Sequence, residues 1–178
     1  MLTIDVPKSE WWNEETNEFI YNEPVTLHLE HSLDSLAAWE SKWKVPFLTD
    51  REKTEEETLD YIRCMTLDDN VDSLVYKNLS PQNIESIQEY IKDPMSATWF
   101  PSKKQGNRNG EQITAELIYY WMIALNIPHE YSSWHLNRLM TLIKVCDIKN
   151  DPKKNKMSKN DVLKQNAALN AARRKHRK

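Results

Sequence analysis

Apolar and polar residues alternate at both ends of the first thirty positions. Leu2, Ile4 and Val6 take every second place, and Val25, Leu27 and Leu29 do the same after Pro24. A period of two turns one face of an extended strand toward a core. Trp11–Trp12 and Phe19–Tyr21 flank the polar run Asn13–Asn17, where a turn is expected. A small sheet or hairpin over residues 1–30, packed on the body, is predicted. From Ser32 the period becomes helical: Leu33, Leu36, Trp39 and Trp43 follow Ser32 as N-cap, and Pro46 ends the helix. Thr54 and Glu57 form a capping-box pattern ahead of Leu59, Tyr61, Ile62 and Met65, with acids crowding the first turn. Ser80 and Pro81 open a third helix with the stripe Ile84, Ile87 and Ile91, closed by Asp93 and Pro94.

Both glycines of the chain, Gly106 and Gly110, fall in Asp93–Gly110, together with Pro94, Pro101, Lys103, Lys104 and Arg108. An irregular connection of this length is either functional or simply solvated. The following segment, Glu111–Asn126, is apolar nearly all round. Ile113, Leu117, Tyr120, Trp121, Ala124 and Leu125 make one face, and Ile118, Met122 and Ile123 the other. Such a helix is expected to be buried. Asn126 and Pro128 close it, and Ser132 or Ser133 can cap a further helix carrying Leu136, Leu139, Met140, Ile143 and Cys146. The two read as an antiparallel pair forming the core. Asp151–Asn160 is a Lys-rich linker, and Ser158 can cap a last helix over Asp161–Arg174. Ala167, Ala168, Ala171 and Ala172 favour that helix but give it little apolar area to bury. It is expected to project and to fold fully on a partner. The fold class is therefore mainly α (α+β), with N-terminal strands over 1–30, a helical core domain over 31–148, and a basic linker and helical tail over 149–178.

Composition fits one folded domain: 178 residues, 39% hydrophobic, seven Trp, 29% charged and a mean hydropathy of −0.76. Charge divides it unevenly. Residues 149–178 hold eleven Lys/Arg against two acids, a net of +9, so against a total of −3 the first 148 residues carry −12. An acidic body with a basic tail points to a partner. The longest apolar run, Leu117–Leu125, has nine residues, short of the roughly 17–25 needed to span a bilayer. Met1–Ser9 lacks the pattern of a secretory leader. No membrane role and a cytoplasmic location are expected. Cys64 and Cys146 sit singly in apolar helical segments, as buried free thiols do.

Candidate chemistry is sparse. His129, Glu130 and His135 are zinc-ligand types, but their spacing does not place two His one helical turn apart beside a Glu. His28 and His31 flank Glu30 and read as surface or interface histidines. No nucleophile elbow, phosphate-cradling Gly-rich loop or dinucleotide fingerprint occurs. Neither an enzyme nor a cofactor or metal site is expected. Arg173, Arg174, Lys175, Arg177 and Lys178 form the densest basic cluster, yet no aromatic residue stands beside them to stack on a base. An acidic protein surface suits them better than nucleic acid. Trp39, Trp43 and Trp99, outside the two most apolar helices, are the candidate aromatic contacts, with Arg173, Arg174 and Lys175 as basic ones.

The strings LEHSLDSLAAWESKWKVPFL (Leu29–Leu48), DYIRCMT (Asp60–Thr66), ELIYYWMIALNIP (Glu116–Pro128), WHLNRLMTLIKVC (Trp134–Cys146) and NAALNAARRK (Asn166–Lys175) resemble tail assembly chaperones of long-tailed bacteriophages. The likeness runs from about Leu27 to the end. It implies a non-enzymatic helper in the host cell cytoplasm. Such a helper coats the helical, apolar tape-measure protein until tail-tube subunits replace it, meets other tail proteins and can self-associate. The strand-forming start, Leu2–Leu29, departs from the mainly helical picture of that family. A structural subunit of the virion neck, tail or baseplate, whose basic arm invades a neighbour, is the alternative, and a nucleic-acid-binding phage protein a third.

Overall fold

The computed structural model describes residues 1–13, 17–98, 100 and 112–150. The chain divides into two units, Met1–Ile143 and Lys144–Lys178. The first opens with strands β1 (Leu2–Val6), β2 (Ser9–Asn13), β3 (Glu18–Asn22) and β4 (Val25–Leu29), which pair antiparallel as β1 with β4 and β2 with β3. Leu2 stands opposite Leu29 and Val6 opposite Val25, while Ser9 stands opposite Asn22 and Asn13 opposite Glu18. These pairs share one register. The two ladders are therefore one hairpin, interrupted where Pro7 lies across from Pro24. Neither proline has an N–H to give the ladder. The alternation seen in sequence is real at the base: Ile4, Val6, Leu27 and Leu29 are buried and Thr3, Asp5 and Thr26 exposed.

Helices α1 (Leu33–Trp43), α2 (Glu55–Met65), α3 (Ser73–Lys77) and α4 (Pro81–Lys92) follow. Ser32 caps α1, and Lys44 ends it in the left-handed region at φ 57° before Pro46. The capping box of α2 is formed both ways: Glu57 N–H donates to Thr54 Oγ1 at 3.2 Å, and Thr54 N–H to Glu57 Oε2 at 2.9 Å. Ser80 caps α4, with Pro81 in its first turn. Strand β4 is tied to the helices through its backbone. Glu30 N–H donates to Met65 O and Leu67 N–H to His28 O, both at 2.8 Å, and Leu136 N–H donates to His31 O at 2.7 Å.

The main core gathers the inner face of the hairpin, Trp39 of α1, Tyr61, Ile62 and Met65 of α2, Val75 and Tyr76 of α3, and Ile87 and Tyr90 of α4. It does not lie between the last two helices, α5 (Ala115–Ala124) and α6 (Leu136–Asn150), as the apolar pattern had implied. Those helices contribute buried residues of their own, Ala115, Ile118 and Met122 from α5 and Leu136, Leu139 and Ile143 from α6. The expected helix over Glu111–Asn126 begins only at Ala115, behind Thr114 as N-cap. A 3-10 turn, His129–Ser133, joins α5 to α6. In the long connection after α4, residues 93–98 are irregular. Trp99 and residues 101–110 of that connection, and the linker and helix expected beyond Asn150, lie outside the described residues. Among the described residues no helix is long and apolar enough to cross a membrane.

Candidate partner-binding face

Helix α5 is held at both ends and along one edge. At its start the Thr114 hydroxyl caps Leu117 N–H, and the buried carboxylate of Glu40 accepts Ala115 N–H at 2.7 Å with Oε2 while its Oε1 accepts Phe47 N–H at 2.7 Å. At its end Asn126 takes φ 55°. Ile127 N–H then reaches back to Met122 O at 2.8 Å and Asn126 N–H to Ile123 O at 3.1 Å, the paired bonds of a Schellman cap. Pro128 follows. Along the edge, Tyr119 O–H donates to Asp34 Oδ1 at 2.8 Å, and Ser132 O–H to Asp34 Oδ2 at 3.0 Å, pinning α5 and the 3-10 turn to α1.

With Ala115, Ile118 and Met122 buried, helical geometry points the opposite face away from the core. There stand Glu116, Tyr120, Ile123 and Ala124, exposed, with Leu117 and Trp121 half-buried beside them. Tyr120 is 63% and Ile123 75% exposed. The expectation that this segment is buried all round is thereby corrected: α5 is apolar on both faces but covered on one. Exposed apolar side chains grouped on one helix face make this face the candidate for an interaction site. The nine-residue apolar run carries this signal in the sequence, where it fits a core helix equally well.

Of the residues singled out from sequence, Trp39 is corrected outright. It is 0% exposed, its indole N–H donates to Glu57 O at 2.9 Å, and its ring lies 5.0 Å from Phe47 edge-on and 6.0 Å from Trp43. It is a core residue. Trp43 is half-buried and donates from Nε1 to Asp60 Oδ2 at 2.8 Å. Trp99, Arg173, Arg174 and Lys175 lie outside the described residues. The two cysteines, expected buried, are half-buried free thiols.

The histidines also separate. His28 is half-buried, with Nδ1 2.9 Å from Asp68 Oδ1. His31, expected at a surface or interface, is 2% exposed, and His135, expected in a partly exposed pair with Trp134, is 5% exposed. His31 Nδ1 lies 2.6 Å from Tyr61 Oη, the His31 and His135 rings meet edge-on at 5.1 Å, and His135 Nε2 lies 3.0 Å from Tyr90 O. His129 and Glu130 stand exposed on the 3-10 turn, so the three metal-type residues do not converge. Among the described residues no group of three His, Cys, Asp or Glu could hold a metal ion. Burial, helped by neighbouring His135 and opposed by Glu30, pulls His31 down from 6.5 to about 4. The unfolded chain then takes up a proton between those values that the folded chain refuses. The contribution to stability is complete above pH 6.5 and is lost as pH falls toward 4, by up to about 3 kcal/mol. Urea unfolding of the native chain and of His31→Gln at pH 7 and pH 4.5 checks this. The native chain should lose more stability on acidification than the variant, and equal losses would refute it.

Open cavities also occur among the described residues, two of which bear on chemistry. One of about 320 Å³ is lined by Glu23, Asp68, Asp69, Asn70 and Asp72 over Val25, Val71 and Val75. The other, about 160 Å³, lies among Phe47, Tyr61, Ile62, Ile84, Ile87 and Ile91 with Lys53 at its edge, the Lys53 ammonium 4.2 Å from the Phe47 ring centre. Neither is lined by a nucleophile paired with a general base. No protein-family model, curated protein or solved structure matches this chain.

Proposed function

We propose that this protein is a non-enzymatic factor of phage tail assembly that acts in the host cytoplasm and holds the tape-measure protein until tail-tube subunits replace it. The observation that supports the reading is the outward face of α5, where Tyr120, Ile123 and Ala124 are exposed between Leu117 and Trp121. A rigid helix presenting apolar residues at helical spacing is one half of a helix-on-helix contact. The patch offers a handful of side chains, well below the roughly 800 Å² per partner of a standard protein–protein interface. That size suits one helix of a long, repetitive client held many times over, better than a folded subunit.

The test is to tag the full chain in infected cells, purify it before lysis, and identify its companions by mass spectrometry alongside the composition of finished particles. A very long helical companion, lost from an Ile123→Glu/Tyr120→Glu variant with unchanged circular dichroism, is the expected result. A retained companion would remove α5 from the contact. A fixed copy number in finished virions would overturn the chaperone reading in favour of a structural subunit.

A further inference from the structure

We infer that the α5 face takes an amphipathic helix whose apolar stripe is edged by Lys or Arg; the inference rests on the reading above and specifies its partner. The patch itself is apolar, and among the described residues the acids Glu116 and Glu130 are the charged side chains of α5 and the 3-10 turn. Glu116 is exposed on the same face of α5, one turn before Tyr120. Glu130 is exposed on the 3-10 turn, beside His129, whose ring lies 5.7 Å from that of Tyr119. Asp34, exposed on α1, has its two oxygens engaged by Tyr119 and Ser132. Behind these acids stands a body of net charge −12 over residues 1–148.

A helix laid along Leu117, Tyr120 and Ala124 buries its stripe on the patch and brings the residues flanking that stripe over the acids. Basic flanks gain there and acidic flanks are repelled, which sets partner choice and encounter rate more than raw affinity. A second copy of this chain is a poor occupant by the same reasoning. Two chains meeting through α5 would set two acidic bodies face to face over a patch too small to offset the repulsion.

The experiment uses two synthetic helical peptides of about five turns, with one shared Leu stripe at i, i+3, i+4 and i+7, flanked by Lys in one and Glu in the other. Each is fluorescently labelled and titrated by anisotropy against the full chain and against a Glu116→Lys/Glu130→Lys chain, at low and high salt. The Lys-flanked peptide is expected to bind the native chain about fivefold more tightly, as exposed ion pairs allow. The gap should close at high salt, and the preference should shrink on the charge-swapped chain. The basic tail is the same in both chains, so it cannot produce that change. Equal affinities, or a preference that the swap does not move, would overturn the inference and leave the apolar-face reading standing. Failure of both peptides to bind a chain with native circular dichroism would remove the apolar-face reading and this inference with it.

Discussion

Truncating Trp39 to Ala is expected to lower the free energy of unfolding by about 3–5 kcal/mol. The side chain is wholly enclosed and touches Phe47 and Trp43 through its ring. Its removal opens a cavity that a helix held by Ser32 and Lys44 cannot collapse to fill, and it deletes the indole N–H bond to the Glu57 carbonyl. Small domains hold only about 5–15 kcal/mol in total, so the variant should sit near the edge of folding. Denaturant midpoints at constant slope measure the effect. A loss below about 1 kcal/mol, with partner binding gone, would return Trp39 to the interface from which its burial removes it.

Glu40→Ala is expected to be nearly as damaging, by about 3–5 kcal/mol, for a different reason. Both carboxylate oxygens are spent on backbone N–H groups, one of Phe47 and one of Ala115, in a site only 7% exposed. Hydrogen bonds to a charged acceptor are worth about 1.5–3 kcal/mol each, and a buried donor left without a partner is penalised in full. The loss should be uneven. Hydrogen exchange is expected to accelerate first in α5, whose start loses its anchor, while β1 and β4 stay protected. Uniform acceleration would mean that Glu40 serves the whole core and not the docking of α5.

Much of the fold could be read from the chain because local chemistry and tertiary packing agree there. The Thr54–Glu57 pair, Ser80 followed by Pro81, and Ser32 ahead of Leu33 each satisfy their own backbone donors, so these helix starts do not depend on distant residues. Leu2–Val6 and Val25–Leu29 alternate because one face of each meets helices. The short helix α3 leaves no sequence signal: five residues behind an Asp72 cap are too few to show a period. The candidate site was legible as a segment and illegible as a face. Hydrophobicity on both sides of Glu116–Leu125 cannot say which side the body covers. That is settled by Asp34 and Glu40, some eighty residues away, through their bonds to Tyr119 and Ala115. The burial of His31 and His135 is illegible for a related reason, since it depends on Tyr61 and Tyr90 arriving from α2 and α4.

The unbroken register of the N-terminal hairpin makes its length a free variable. Because Leu2 through Val6 and Ser9 through Asn13 count against the returning strand without a slip, residues removed in equal number from both strands beyond the two prolines shorten the tip and alter no pairing nearer the base. An unmatched deletion between Leu2 and Val6 has the opposite consequence. It turns the strand over, sending Ile4 or Val6 toward water and Asp5 toward the core.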